Sequence, residues 1–416
     1  MLDPIPAGTD PPEIPLHPAS QLVDRWLGAL LERAFHEAAL RFELRDGTLL
    51  RGCEHPVASV VAADRTALLA LLVDPEEHFG DAFVAGRIEI RGDLVAALEA
   101  AYHALERAGG RGVSRGGHSL QESRRNVHRH YDLGNDFYRL WLDERMLYTC
   151  AYFERPGLSL EAAQVAKMEH VCRKLRLAPG ESVVEAGCGW GALALHMARV
   201  YGVRVRAYNV SHEQIAYARE QAERQGLTAQ VEFVEEDYRR IDGGYDAFVS
   251  VGMLEHVGLG DFGTLGALIG RCLDARRGRG LLHFIGRDRP TALNAWIRHN
   301  IFPGAYPPTL AQAIERVLEP AGASVHDVEN LRLHYAETLA HWLARFEAAA
   351  PEVRLRHGEE FTRAWRLYLA GSEAAFRTGS LQLFQVSFAH GAANDLPRTR
   401  AGLYGGEAQP WTAATS

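Results

Sequence analysis

The sequence predicts an α/β fold: a parallel sheet with helices on both faces, preceded by a small α+β domain. Three observations predict it. From Ser159 onward, helical and strand-like apolar patterns alternate, as they do where parallel strands are joined by helical crossovers. One strand-like run ends in the tight glycine turn Gly187-Cys188-Gly189-Trp190-Gly191 and passes into helical spacing. Ahead of a glycine-rich break at 109–121, residues 19–108 carry helix and hairpin patterns of their own, enough chain for a separate core.

Taken in order, residues 1–18 hold too much proline for regular structure and are expected to be flexible. Their acidic composition is unlike a secretory signal. Leu22, Trp26, Leu30 and Ala34 recur at helical spacing and predict a helix over 21–39. Alternation around Asp46-Gly47 predicts a hairpin, and Leu68, Leu69 and Leu72 mark a second helix. The run FGDAFVAGRIEIRGDLVAALEAAYHAL reads as loop, short strand at 87–90, turn and helix. The linker at 109–121 is basic and glycine-rich. With Arg107, Arg124 and Arg125 it reads either as a solvated hinge or as an attraction to anionic lipid headgroups, at about 1 kcal/mol per basic residue. From there the patterns give a helix at 159–175 and strands at 182–186, 203–208, 231–234, 247–251 and 280–285, with helices through 199 and over 213–225. After Ile285 the spacing predicts mostly helix, over roughly 309–320, 336–350 and 356–377, and a loose tail over 396–416. A core domain over 122–395 follows.

Composition narrows the function. The chain has 416 residues, with 45 basic against 53 acidic side chains and a net charge of −8, which argues against a nucleic-acid partner. No run approaches the roughly 18 apolar residues of a membrane span. Five cysteines without a C-x-x-C pair argue against a disulfide framework or a structural zinc, and no metal is expected. A cytoplasmic enzyme is the resulting expectation. Lysine occurs only at Lys167 and Lys174 and reads as compositional bias.

Gly187, Gly189 and Ala192 satisfy a dinucleotide pattern, but the second strand ends in Arg206-Ala207-Tyr208-Asn209 without the carboxylate that ribose binding asks for. Arg206 leaves a 2′-phosphate open. Glu185, just before the glycines, suits the sulfonium and amino cations of S-adenosylmethionine, and Asp237 ends the third strand where it would meet an adenine amino group. Each acid alone reads equally as a solvated loop carboxylate. Glycine turn and both acids at correct strand ends together favour a methyltransferase.

Several stretches then fall into one pattern: His130-Tyr131-Asp132 with Gly134-Asn135-Asp136-Phe137-Tyr138, 148–153 (YTCAYF), 185–191 (EAGCGWG), 250–258 (SVGMLEHVG), 282–286 (LHFIG), Trp296-Ile297, 301–304 (IFPG) and His334-Tyr335. In this the chain resembles the cyclopropane-fatty-acid synthase family, which includes the mycolic acid cyclopropane synthases. The resemblance is strong over 122–395 and weaker in the N-terminal domain. It implies a Rossmann-like class I methyltransferase domain with a helical insertion that binds lipid. It also implies transfer of a methylene group from S-adenosylmethionine to the cis double bond of an unsaturated phospholipid acyl chain, closing a cyclopropane ring. A bound bicarbonate would act as base, held by Cys150, Glu255, His283, Ile285 and Tyr335. Tyr148, Thr149, Glu185, Gly187, Gly189, Gly191, Asn209, Gln214 and Asp237 would hold the cofactor.

The chemistry suits these residue types. Tyr152, Phe153, Trp190 and Phe302 would face a cationic intermediate at about 0.5–2 kcal/mol per contact, or simply pack the core. A nucleophilic Cys150 is disfavoured, since a thiolate beside a sulfonium would itself be methylated. Glu255 beside bicarbonate puts two anions in contact, so a shared proton is expected. The chain departs from the family at Glu185, often Asp, at Ala192, often Gly, at Phe262, often Tyr, and at Asn209, commonly Thr. The alternatives are carbon methylation without ring closure, methylation of a soluble acceptor, and a lipid-binding protein with a decayed site. Peripheral contact with the inner membrane surface and homodimer pairing are the remaining expectations.

Overall fold

The computed structural model describes residues 18–108 and 133–405. Expectations for 1–17, the 109–121 linker, Arg124, Arg125, the 130–132 motif and 406–416 lie outside the described residues, as does the side chain of Arg107.

The N-terminal unit begins with α1 (Pro18–Phe35) and the hairpin β1 (Leu40–Leu44) and β2 (Leu49–Arg51). The turn forms where expected because Gly47 takes φ +91° and Asp46 accepts the Thr48 N–H at 2.9 Å. A strand not expected from the sequence, β3 (Ala58–Ala62), pairs parallel with β1. Its run ASVVA is buried at nearly every position, so it lacks the alternation that marks a strand with one wet face. Asp64 caps α2 (Arg65–Val73), and Asp74 with Pro75 starts α3 (Pro75–Val84), so the expected loop at FGDAFVA is helical. Strand β4 (Ile88–Gly92) and α4 (Leu94–Ala108) complete a sheet of order β2-β1-β3-β4.

After the short α5 (Asn135–Arg139), α6 (Leu160–Leu175) starts on Ser159, whose Oγ accepts the Ala162 N–H. There follow β5 (Ser182–Ala186), α7 (Ala192–Tyr201), β6 (Arg204–Asn209), α8 (His212–Arg224), β7 (Val231–Glu235), β8 (Ala247–Val251), α9 (Leu254–Val257), α10 (Phe262–Cys272) and β9 (Arg279–Gly286). The five strands expected here are all present and mutually parallel. The remainder is α11 (Ala295–Asn300), α12 (Leu310–Ala313) running into a π-helical turn at Ile314–Leu318, β10 (Ala323–Asn330), α13 (Arg332–His357), α14 (Glu359–Thr378) and β11 (Gln382–His390).

The full sheet runs β10-β11-β9-β8-β5-β6-β7. β11 lies antiparallel between β9 and β10, so the sheet is mixed and the purely parallel expectation is corrected. β10 escapes a hydrophobic reading because its second half is polar inside and apolar outside: Ala323 and Val325 pack on the core, but Asp327 and Glu329 turn towards α6, where Lys174 and His170 meet them, while Val328 faces out. The start of the expected loose tail is also held down, with Arg400 on Asp327 at 2.6 Å and Tyr404 near His170.

The two units share one buried boundary. α3 and α4 lie on α14, Arg363 donates to the Phe83 and Ile88 carbonyls at 2.6 and 3.1 Å, and its guanidinium covers the Phe83 ring. Gly80 is obligatory there: a Cβ would stand 2.3 Å from the Trp296 indole.

Candidate active site

In an open α/β sheet the strand ends on either side of a reversal in order leave a crevice, and here β5 separates β6 from β8. A cavity of about 180 Å³ occupies that position. The glycine turn forms its floor. Gly187 and Cys188 donate their N–H groups to the Tyr208 carbonyl at 2.9 and 3.1 Å, tying the turn to β6. Gly191, at φ +85°, packs so closely that a Cβ would stand 2.6 Å from the Phe233 ring.

Tyr148, Thr149, Glu185, Gly187, Gly189, Asn209, Gln214 and Asp237 all line this cavity, and Gly191 stands one residue behind it. Asn209 donates to Gln214 Oε1 at 2.7 Å and to the Gly189 carbonyl at 3.3 Å, and so bridges the glycine turn to α8. Asp237 commits one oxygen to the Arg239 N–H at 3.0 Å and to its guanidinium at 3.1 Å. Glu185 is buried, and its Oε2 has no hydrogen-bond partner among the described residues. A turn open to close approach, a cavity and an orphaned carboxylate oxygen fit a bound cation-bearing nucleotide.

Lys167, which composition alone reads as bias, stands in the same wall. It is fully buried and donates to Thr149 Oγ1 at 2.8 Å. Burial pushes the Lys167 ammonium down and the Glu185 carboxyl up, and each partly offsets the other. Lys174 is likewise buried, on Glu329 at 2.6 Å. Both lysines are therefore internal cations, a placement that composition could not reveal.

The five residues expected around the base sit behind this cavity rather than in its wall. Glu255 on α9 accepts the Ile285 N–H at 3.4 Å through Oε1, while Oε2 is buried without a hydrogen-bond partner among the described residues. Burial pushes its carboxyl up to about 7. Cys150 is fully buried, donates to the Ala151 carbonyl at 3.1 Å and has its thiol pushed far up by burial, so it is held as a thiol. Cys150, Tyr335 and half-buried Ile285 belong to one packed cluster, where the Tyr335 ring lies 4.5 Å from that of Phe376. His283 on β9 stands 3.0 Å through Nδ1 from the side-chain amide of Gln385 on β11.

Among the proposed aromatics, Trp190 and Phe302 line the cavity, whereas Tyr152 stacks on His170 at 4.3 Å and Phe153 on His341 at 5.5 Å, so those two do structural work here. Tyr368 and Gln385 carried no sequence signal. Tyr368 reaches Tyr148 at 2.6 Å between hydroxyls and Phe302 at 5.6 Å between rings. His256, beside Glu255 in sequence, does line the cavity. Phe302 and Pro303 belong to the lining of this cavity, and a second, mostly apolar cavity of about 110 Å³ lies between the N-terminal unit and α11 and α14.

Comparison with known proteins gives a consistent picture. The sequence profile of the mycolic acid cyclopropane synthetase family matches residues 118–386. A probable fatty acid methyltransferase of Pseudomonas putida is 36% identical over 380 residues, covering 88% of this chain and 96% of that protein. The cyclopropane-fatty-acyl-phospholipid synthase of Escherichia coli K12 is 42% identical over 269 residues, 64% of this chain and 68% of that protein. The crystal structure of the mycolic acid cyclopropane synthase CmaA1, complexed with SAH and CTAB, superposes with a TM-score of 0.61 at 31% identity, over 64% of this chain and 98% of that one. A class I fold, a cofactor crevice at the β5 switch and a match over well more than half of its length place the chain in the mycolic acid cyclopropane synthetase family, as an S-adenosylmethionine-dependent methyltransferase.

Proposed function

We propose that this enzyme adds a methylene group to the cis double bond of an unsaturated phospholipid acyl chain and closes a cyclopropane ring, with bicarbonate as base. The observation that carries the reading is Glu255: a buried carboxyl, fixed by the Ile285 N–H, with its second oxygen unpartnered among the described residues, beside the cofactor crevice. A group of that kind is built to share a proton with a second oxyanion.

S-adenosylmethionine, when bound, supplies an electrophilic methyl group. Glu185 and Thr149 would hold its methionine end, Asn209, Gln214 and the glycine turn its centre, and the second oxygen of Asp237 its adenine. An alkene needs no deprotonation before it reacts with such a methyl group, so the residues of the crevice would have only to hold the cofactor and the acyl chain in place. Phe302 and Trp190, which line the cavity, would face a cation on the acyl chain and keep water from it. Loss of a proton from the transferred carbon closes the ring. Cys150, His283, Ile285 and Tyr335 would orient the bicarbonate that takes this proton, and Glu255 would share it onward.

Peripheral membrane contact belongs to the same proposal. Leu22 and Trp26 on α1 and Leu69 and Val73 on α2 are exposed apolar side chains on two neighbouring helices tied together by Arg65 and Asp24 at 2.6 Å. Such a face suits insertion into a lipid surface. The base assignment is tested by bicarbonate depletion. Turnover should fall about tenfold or more in degassed buffer and return on adding bicarbonate. Turnover indifferent to bicarbonate would refute the assignment.

A further inference from the structure

We propose that Gln385 is a positioning residue for this reaction: its side-chain amide donates to His283 Nδ1, and so holds the imidazole as the neutral tautomer with its proton on Nε2. The inference rests on the role given to His283 above and adds the group that makes that role workable.

The geometry comes from the sheet. His283 on β9 and Gln385 on β11 are directly paired across the antiparallel ladder, so their side chains leave the same face of the sheet side by side. β11 is an interior strand between β9 and β10, and Gln385 is fully buried. Its amide nitrogen is 3.0 Å from Nδ1, and its Oε1 has no partner among the described residues. The amide spends its buried donor on the imidazole nitrogen, and a buried donor–acceptor pair of this kind is costly to break from either side.

The surroundings keep the ring neutral. Burial is the main force opposing an imidazolium, Lys167 and Lys174 on α6 add to it, with His170 on the same helix, and Glu329 on β10 works the other way. A neutral imidazole has one N–H, and the partner of one nitrogen decides which nitrogen carries it. With Nδ1 accepting from Gln385, Nε2 is the donor, the state needed to hold an oxyanion.

Gln385→Glu tests this without changing shape. A carboxylate accepts rather than donates, so it should move the proton to Nδ1, favour the imidazolium and shift the acid limb of the pH–rate profile up by about one unit. Turnover should fall about 10- to 100-fold while cofactor affinity changes less than about twofold. Nitrogen-15 spectra of the histidine rings, with His283→Asn to assign the signal, should show Nε2–H in the wild-type enzyme. Wild-type His283 protonated on Nδ1 would overturn the proposal even if Gln385→Glu did not fold. So would a Gln385→Glu enzyme with wild-type rate and pH profile. The ring signals are read without turnover, so a wild-type enzyme that makes no ring-bearing lipid counts against the reaction, whereas the wrong tautomer counts against Gln385.

Discussion

Burial lifts the Glu255 carboxyl from 4.5 to about 7, so between those values the folded chain holds a proton that the unfolded chain has released. Stability therefore falls as pH rises through this window, because the native state binds more protons than the unfolded state. A shift of this size corresponds to about 3 kcal/mol. Glu255→Gln keeps the shape and removes the ionisation, so urea unfolding should find the variant more stable than wild type at pH 8, with the difference fading towards pH 5. A pH-independent difference would mean that the carboxyl is already ionised in the native state. Glu185 is a second carboxyl raised by burial, but Lys167 stands beside it, so its contribution to the same slope is smaller than its isolation from water suggests.

At the level of elements, the glycine turn shows how backbone conformation and close packing combine. Gly191 sits at φ +85° and touches Phe233 and Ala218, so Gly191→Ala adds both backbone strain and a clash at the start of α7. Denaturant titration should show a loss of about 2–4 kcal/mol together with weaker cofactor binding; a loss within 0.5 kcal/mol, of the order seen for a neutral surface change, would contradict this. The turn itself was legible in the sequence because its chemistry is local. So were the five parallel strands, which follow apolar runs. β10 was not legible: two of its inward residues are Asp327 and Glu329, and their partners Lys174 and His170 are some 150 residues earlier, so only the folded chain explains why carboxylates point inwards. Gln385 and Tyr368 stayed hidden for the same reason, since their meaning comes from His283 and Tyr148 across the fold. Glu185, the glycine turn and Asp237 were read from strand ends and the fold brings them to one cavity, whereas the separation between that cavity and the group behind it could not be read from order along the chain.

Across the whole molecule, the N-terminal unit is packed against the catalytic core through Gly80, Trp296 and Arg363, while α1 and α2 present Leu22, Trp26, Leu69 and Val73 to solvent. Contact with lipid through that face would bring the bilayer to a unit in fixed register with α11 and α14, the elements that also approach Phe302. Trp26→Glu should lower the fraction of enzyme sedimenting with anionic unsaturated vesicles about tenfold and leave activity on detergent-dispersed lipid unchanged. Equal activity losses in both formats would refute the docking role.

The most direct test of the central claim is to incubate the purified enzyme with methyl-labelled S-adenosylmethionine and vesicles of cis-unsaturated phospholipid, then extract the lipid for proton NMR. The proposed reaction predicts label in the lipid fraction with high-field cyclopropane ring protons. Label accompanied by vinylidene or methyl-branch signals, or no label in lipid at all, would contradict it.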